Sequence, residues 1–393
     1  MFTFVESNKP AKIKVIGAGG AGGNAINNMI DSRLQGVKFI AVNTDSQALE
    51  ISRAPIKIQI GQKITEGLGA GANPHVGREA ALESADAIRE ALEDSHMVFI
   101  TAGFGGGTGT GAASVIAEIC KDIKALTVAV VTKPFSFEGK KRTRQAEEGI
   151  EILKDVADTV ITIPNDRLRG LASKNAKMIE MFKKADEVLL HSVKGITDLI
   201  MMPGLVNLDF ADIRTIMSKA GLAIMGIGVA SGENRATEAA ERAISHPLLE
   251  DISIAGAKGV LMNITCPSDL TMEEMSEASE RIYSEVGEDA DIIWGAVVDD
   301  SLVDELSVTV IETGIGDCSA SSKRKNSFDH SLRGKVRDIT PADLQNSVDY
   351  DEPTFIRQKE AVGESSGAVY RGYKGIIMDN DLDIPTFLRK KAD

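Results

Sequence analysis

Two glycine clusters could do with main chain what most sites do with side chains. Gly17-Ala-Gly-Gly-Ala-Gly-Gly-Asn24 follows an apolar run and opens a helical pattern, and Gly103-Phe-Gly-Gly-Gly-Thr-Gly-Thr-Gly111 does the same further along. Glycine allows a tight turn and lets backbone N–H groups approach a phosphate, while the N-terminus of the following helix adds a favourable dipole. The first cluster alone is ambiguous. A Gly-x-Gly turn between strand and helix also holds dinucleotides, and Asp45, after the second strand candidate, imitates their ribose-binding acid. The second cluster changes the reading, because two such loops on one sheet could cradle a polyphosphate from two sides. Neither contains the lysine of a Walker loop. Charge neutralisation therefore falls to N–H dipoles, threonine hydroxyls and Mg²⁺.

The elements that must position these loops are legible as short apolar runs. Strand candidates are Ile13–Ile16, Phe39–Asn43, Met97–Ala102, Thr127–Thr132 and Thr159–Ile163, separated by periodic segments such as Arg78–Asp94 and Thr110–Lys124. Continuous apolar strands alternating with helices predict an α/β fold with a doubly wound parallel sheet. A long helix follows from about Lys174 to Met201, with Met178, Phe182, Ala185, Leu189, Val193, Ile196 and Ile200 forming one apolar stripe. At 1.5 Å per residue it runs about 40 Å, enough to span two domains, and Met202-Pro-Gly204 ends it.

A second, α+β domain reads as Ala223–Ala230, Arg235–Ser245, Gly259–Cys266, Met272–Val286, Asp291–Val298 and Leu306–Ile311, in the order strand, helix, strand, helix, strand, strand. From about Gly314 to Met378 periodicity is lost, which predicts a disordered linker. The closing DLDIPTFLRKKAD recovers Ile384, Phe387 and Leu388, followed by Arg389, Lys390 and Lys391. That pattern suits a short helix, stable only against a partner. The chain thus divides into a flexible N-terminus (1–11), a nucleotide-binding domain (12–173), a central helix (174–202), a C-terminal domain (203–313), a linker (314–378) and a partner-binding peptide (379–393).

Composition narrows the classes. The length of 393 residues accommodates two domains with their own cores and a tail. An aromatic content of 4% argues against stacking platforms for sugars or single-stranded nucleic acid. A net charge of −14 disfavours nonspecific attraction to nucleic acid or anionic lipid. Cys120, Cys266 and Cys318 lie far apart, so neither a zinc site nor a disulfide framework follows, and the histidines are equally scattered. The N-terminal MFTFVESNKPAKIKVIG lacks a long apolar stretch, and no run approaches the ~20 residues needed to span a bilayer. A soluble, cytoplasmic protein without membrane insertion is expected.

The second loop is also where a resemblance becomes specific. Gly-Gly-Gly-Thr-Gly-Thr-Gly at 105–111 is the signature of the tubulin and FtsZ superfamily. AVNTDSQAL (41–49), GLGAGANP (67–74), KPFSFEGKKR (133–142), ITIPNDRL (161–168) and GLVNLDFADIRTIM (204–217) resemble motifs of the FtsZ family of division-ring GTPases. They run in order across about residues 12 to 312, and DIPTFLRK resembles that family's C-terminal peptide, with Thr386 where alanine is common. The resemblance implies GTP or GDP as ligand, with Mg²⁺ and K⁺; the sequence names no metal ligands. It implies phosphate contacts from Gly19, Gly20, Ala21, Gly22, Gly23 and Asn24, and from Gly103, Gly105, Gly106, Gly107, Thr108 and Gly109. Thr132, Glu138 and Arg142 match positions at the ribose and phosphates; on sequence alone the last two would be an ordinary solvated charge run.

Guanine is implied beside the start of the long helix, and the residue types there suit it. Guanine presents N1–H and N2–H₂ donors, which Asp186 and the side-chain oxygen of Asn165 can accept. Adenine would set a lone pair against the carboxylate, a mismatch that discriminates by as much as ~10⁴. Phe182, at i−4 from Asp186, either stacks on the base or packs in the core.

Asn207-Leu-Asp209-Phe-Ala-Asp212 opens the next helix, with Asn207 as a good N-cap and acids in the first turn. Asp209 and Asp212, three residues apart, also share a face from which they could polarise a water attacking a γ-phosphate. The resemblance implies that this loop, with Asn207, reaches the nucleotide of a neighbouring subunit. A head-to-tail contact of that kind gives open filaments, here a homopolymer at the midcell division ring of a bacterium, with assembly-dependent hydrolysis. It also implies docking of residues 379–393 to membrane-anchored division proteins such as FtsA or ZipA. Two other classes explain less. A dinucleotide-dependent oxidoreductase accounts only for the first loop and Asp45, and a nonenzymatic scaffold leaves the phosphate loops idle.

Overall fold

The computed structural model describes residues 11–171, 177–202, 204–206, 208–218, 221–249, 257–287, 290–299 and 302–315. All of them lie in the first of two units, 1–324 and 325–393. The N-terminus to Pro10, the expected linker from residue 316 and the terminal peptide 379–393 lie outside the described residues.

The nucleotide-binding half runs β1 (Ile13–Ala18), α1 (Gly19–Asp31), β2 (Val37–Asn43), α2 (Ser46–Glu50), β3 (Ile56–Gln59), α3 (Gln62–Thr65), α4 (Pro74–Glu83) and α5 (Ala85–Leu92). It continues with β4 (Met97–Gly103), α6 (Thr108–Asp122), β5 (Leu126–Lys133), α7 (Lys140–Lys154), β6 (Thr159–Pro164) and α8 (Asn165–Leu168). Then come α9 (Met178–Met201), β7 (Gly204–Val206), α10 (Phe210–Met217), β8 (Gly221–Ser231), α11 (Arg235–Ile244), β9 (Gly259–Cys266), α12 (Met272–Tyr283), β10 (Asp291–Val298) and β11 (Glu305–Ile315).

Strands β1, β2, β4, β5 and β6 are buried on both faces because their alternate side chains feed two separate cores. Val15, Phe99 and Val128 pack with Ile26 and Met29 of α1 and Leu189 and Val193 of α9. Ile16, Ile100 and Val131 pack on the other face with Ile88 of α5, Ile116 of α6 and Leu153 of α7. Each such side chain contributes about 1.5–3 kcal/mol relative to exposure. The strand order is β3-β2-β1-β4-β5-β6, all parallel. Chain direction across the sheet reverses between β1 and β4, so a crevice opens beyond the carboxyl ends of those two strands. Both glycine clusters emerge there.

The sheet does not stop at β6. Thr159–Ile161 pair in parallel with Gly221–Ala223 of β8, and antiparallel β11 and then β9 extend the same sheet through the second half. The second half has its own core on the α11–α12 side, where Ala239 and Ala243 of α11 and Ile282 of α12 meet Val260, Met262 and Val308.

Four features depart from the sequence expectation. The segment Arg78–Asp94 is broken at Ser84, whose Oγ accepts the Gly61 N–H at 3.2 Å and interrupts the helix. Strands β3 and β7 are too short to show periodicity. Strand β11 continues to Ile315, so Gly314 and Ile315 belong to the sheet rather than the linker, with Gly314 at φ +69°. In α9 the stripe is buried from Ala185 through Ile196, but Met178 is 58% and Phe182 41% exposed, because the first turns project beyond the core.

Among the described residues no helix is long and apolar enough to cross a membrane.

Helices α4 and α6 meet backbone to backbone, which sets the depth of the second glycine loop. A Cβ on Gly111 would overlap the Pro74 carbonyl oxygen, and one on Gly77 would overlap the Gly107 carbonyl oxygen. Gly111→Ala is expected to destabilise the chain by about 1–3 kcal/mol, as overpacking does in a close-packed contact. Urea or thermal unfolding measures this; an unchanged midpoint would mean that α4 can move aside freely.

Candidate functional site

The two glycine loops touch through their main chains. Gly19 sits at φ +74°, and a Cβ there would lie 2.9 Å from the Gly109 nitrogen. Gly105, at φ +94°, donates its N–H to Thr110 Oγ1 at 2.9 Å, and a Cβ would come within 2.8 Å of the Arg142 carbonyl oxygen. Thr44 Oγ1 and Thr108 Oγ1 share a hydrogen bond of 2.7 Å that ties the end of β2 to the start of α6. By contrast, nothing lies within 4 Å of a Cβ built on Gly20 or Gly106. Those two main-chain segments face open space, as a phosphate cradle requires.

The space they face is a cleft of about 420 Å³, within the range of small-molecule sites. Gly20, Ala21 and Asn24 line it from the first loop, and Gly103, Gly106, Gly107, Thr108 and Gly109 from the second. Thr132, Glu138 and Arg142 form the adjoining wall, and Asn165, Phe182 and Asp186 the far end. Gly19, Gly22, Gly23 and Gly105 do not line it. Gly19 and Gly105 provide the positive φ of the turns. Gly22 packs α1 onto β4, where a Cβ would meet the Thr101 carbonyl oxygen at 2.5 Å. Gly23 is half-buried beside them.

Phe104, Pro134, Ala185 and Leu189 also line the cleft and were not singled out by sequence. Ala185 and Leu189 lie on the α9 stripe, and that was their available signal. A further neighbour is the 67–73 loop, which the sequence marked as a motif without a role. A Cβ on Gly107 would come 2.8 Å from Ala70 Cβ and 2.9 Å from the Asn73 nitrogen, so this loop walls the second glycine cluster. Its Gly67, Gly69 and Gly71 all have positive φ.

The far end is built of acceptors. Asn165, the first residue of α8, is 5% exposed, and its Oδ1 has no hydrogen-bond partner. A buried orphan acceptor of this kind costs about 1–3 kcal/mol. Asp186 lies beside it on α9, where burial, with a smaller contribution from the Glu187 charge, pushes its carboxyl up to about 6. Phe182 meets Phe135 edge-on at 5.5 Å and 87°, so one ring face remains turned outward from that contact. The far end therefore fits a flat group with several N–H donors.

Glu138 and Arg142 are an organised pair rather than a solvated charge run. Glu138 Oε2 accepts from Arg142 at 2.6 Å, and Oε1 accepts the Phe135 N–H at 2.9 Å. Asp45, in contrast, is engaged elsewhere. It caps α2 by accepting the Gln47 and Ala48 N–H groups at 2.9 and 3.3 Å, which removes the second support for a dinucleotide site.

Asp209 and Asp212 do not reach this cleft. Helix α10 begins at Phe210 with Asp209 as its N-cap, accepting the Asp212 N–H at 2.9 Å. The cap therefore lies two residues beyond the expected Asn207, and Asn207 itself lies outside the described residues. Phe210 packs against His96 at a ring separation of 6.2 Å. His96 immediately precedes β4, whose opposite end, Gly103, opens the glycine loop. A strand of that length, at about 3.3 Å per residue, puts the two ends roughly 20 Å apart. Both carboxylates are exposed, at the opposite end of the sheet from the cleft. Among the described residues no three His, Cys, Asp or Glu side chains converge on a metal-sized site.

Comparison with known proteins shows the family. Residues 12–173 match the Tubulin/FtsZ family, GTPase domain, and residues 221–316 the FtsZ family, C-terminal domain. An empty FtsZ dimer from M. jannaschii is 49% identical, over 79% of this chain and 90% of that one, with a TM-score of 0.75. The chain belongs to the FtsZ family. A Trp-to-Tyr mutant of FtsZ from M. jannaschii is likewise 49% identical, over 78% and 92% of the two chains, with a TM-score of 0.75. CetZ1 from Haloferax volcanii shares the fold at 20% identity, over 78% and 95% of the two chains, with a TM-score of 0.69.

This FtsZ-family chain is thus a tubulin-like cell-division protein that binds GTP and GDP and hydrolyses GTP. Its own cleft fits a guanine nucleotide on chemical grounds: open main-chain cradles at one end and an orphan buried acceptor beside a carboxylate at the other.

The Asp186 carboxyl supplies a pH test. Guanine donors bind the ionised form, so affinity should be level above about pH 6 and fall as pH drops through that value, by about tenfold per unit. Asp186→Asn should remove this component, leaving only the titration of the phosphates. Nucleotide affinity measured for both chains across that range checks it, and superimposable profiles would exclude Asp186 as the titrating acceptor.

Proposed function

We propose that this chain polymerises head to tail and that each GTPase site is completed by the neighbouring subunit. The observation that carries the reading is the separation of Asp209 and Asp212 from their own chain's cleft by the length of β4. Within the cleft the carboxylates are Glu138, held by Arg142, and Asp186, at the base end. The reading gives Glu138 to the ribose and Asp186 to the base, and assigns neither to the attacking water. Phosphoryl transfer depends on positioning and electrostatics more than on covalent chemistry, so an exposed Asp pair brought in from outside can supply what is missing.

In this reading the glycine loops, with Thr132 and Arg142, hold the phosphates, and Glu138 holds the ribose. Asn165 and Asp186 accept from the guanine edge, while Phe182 stacks on the base. Asp209 and Asp212, with Asn207, act in trans. Mg²⁺ and K⁺ accompany the phosphates and are held largely by phosphate oxygens, water and threonine hydroxyls. The contact between the Asp end of one subunit and the cleft of the next joins two different surfaces and so propagates without closing. The M. jannaschii relative was itself solved as a dimer. Such filaments would form the cytoplasmic division ring at midcell.

Mixing tests the divided site. An Asp212→Ala chain and a chain unable to bind GTP should each be inactive alone and regain turnover together. If the mixture stays inactive while both chains fold and the first still binds GTP, the trans role is wrong.

The terminal peptide supports a tether. With residues 316–378 as coil, the mean reach is roughly 45 Å, enough to hold a filament near a surface without fixing its orientation. Residues 379–393 would dock through Ile384, Phe387 and Leu388 to a membrane-anchored division protein such as FtsA or ZipA. Deleting 379–393 should abolish that binding and leave GTP-dependent assembly intact; loss of assembly would place the peptide in the filament instead.

A further inference from the structure

The residue immediately after the buried base-end acceptor is Asp166, which is exposed and does not line the cleft. Its carboxylate nevertheless accepts three hydrogen bonds from a single residue on another element. The Ser136 N–H reaches Oδ1 and Oδ2 at 3.1 Å each, and Ser136 Oγ reaches Oδ1 at 3.1 Å. Ser136 opens the single turn Ser136–Glu138 that links β5 to α7. That turn delivers Glu138 to the cleft and leads directly to Arg142.

The turn has few other anchors. Before it, the Phe104 N–H donates to the Thr132 carbonyl at 2.9 Å, fixing the end of β5. Within it, Phe135 N–H binds Glu138, and the Phe135 ring stacks on Phe137 at 5.1 Å and meets Phe182 edge-on at 5.5 Å. The aromatic contacts hold the turn against α9 but are nondirectional along the ring faces. Hydrogen bonds have defined directions, and the three to Asp166, at 3.1 Å with one N–H shared between its two oxygens, fix the orientation of Ser136. Asp166 is therefore the directional tie between this turn and α8, and it sits on the same helical turn as Asn165.

We propose that Asp166 is a positioning residue for the ribose subsite. Through Ser136 it fixes Glu138 and Arg142 relative to the base acceptor Asn165, and so sets the distance between the ribose and guanine ends of the site. A displacement of about 1 Å in a positioning group can lower a rate a hundredfold, so a tie outside the cleft can govern contacts inside it. The proposal rests on the reading of Glu138 as the ribose contact.

The test compares affinities of the full chain for GTP, 2′-deoxy-GTP and 3′-deoxy-GTP. Asp166→Ala should weaken GTP about tenfold, the loss of a hydrogen-bonded charged group. It should weaken the deoxy nucleotide that lacks the contacted hydroxyl much less, so the preference between them shrinks. Asp166→Asn, which keeps one acceptor oxygen, should recover most of the preference. Ser136→Ala, which removes only the hydroxyl bond, should show a smaller shift in the same direction and serves if Asp166→Ala does not fold. Glu138→Gln is the reference. If it leaves the preference unchanged, or if the unaltered chain has none, the ribose reading fails and the proposal with it. If Glu138→Gln erases the preference while Asp166→Ala and Ser136→Ala keep it, or weaken all three nucleotides equally, Asp166 is only a surface staple and the proposal alone is overturned.

Discussion

The site depends on one constraint: two main chains from different strands must lie in contact at the crevice between β1 and β4. Gly19 against Gly109 meets it, and any side chain there would separate the loops. The contact has consequences on both sides. Gly22 must let α1 settle onto β4, and Gly77 and Gly111 must let α4 settle onto α6, because each helix carries a loop toward the same point. Glycine is poor in helix interiors, by roughly 0.8–1.0 kcal/mol relative to alanine. Its repeated use at the first turns of α1 and α6 makes sense only where backbone proximity outweighs that loss. The Walker solution reaches the same phosphates with a lysine. Here neither glycine loop carries a lysine, and main chain open at Gly20 and Gly106 together with two helix N-termini offers the favourable field instead.

That choice shapes the rest of the molecule. A cradle made of dipoles suits polyphosphate but brings no group able to direct a water; of the cleft's own carboxylates, Glu138 is held by Arg142 and Asp186 lies at the base end. Asp209, which caps α10, and the exposed Asp212 are at the far end of β4. Helix α9 fixes how far away they stay. It packs along the sheet with Leu189, Val193 and Ile196 buried, has Asp186 near its start, and ends at β7, one short strand before Asp209. One rigid helix of 24 residues, about 36 Å long, thus has the base end of the cleft near its first turns and the acidic loop just after its last. A chain with this geometry carries the cleft and the exposed Asp pair at opposite ends of β4, the separation on which the head-to-tail proposal relies.

Much of this was legible in the sequence. The five central strands were readable because double-sided burial demands uninterrupted Val, Ile and Ala, and the glycine loops because positions such as Gly19, Gly22, Gly105 and Gly109 leave no room for a Cβ. Other features depended on tertiary contacts that leave no local trace. Asn207 and Asp209 are equally good caps by residue type, and only the helix start at Phe210 separates them. Asp45 looked like a ribose acid until its oxygen proved to be engaged by Gln47 and Ala48. Phe182 belongs to the apolar stripe by spacing, yet α9 outruns the core there and leaves it at the cleft. The distance between Asp209 and the glycine loops follows from Phe210 packing on His96, a pairing that no periodicity encodes.

The base end adds an energetic argument. Asn165 Oδ1 is buried without a partner, and the Asp186 carboxylate is partly desolvated, so both oppose the empty state. Folding tolerates such groups at functional sites when a ligand later satisfies them. A ligand that binds only the folded chain stabilises it by about 2.7 kcal/mol at a hundredfold excess over its dissociation constant. A nucleotide seated here as proposed would act as a structural member between α8 and α9, pairing acceptors that the protein leaves open. An edge with donors satisfies both groups at once, whereas an edge with a lone pair would leave the carboxylate worse off than water does. In the proposed binding mode, specificity for guanine and stability of the pocket would have the same physical cause.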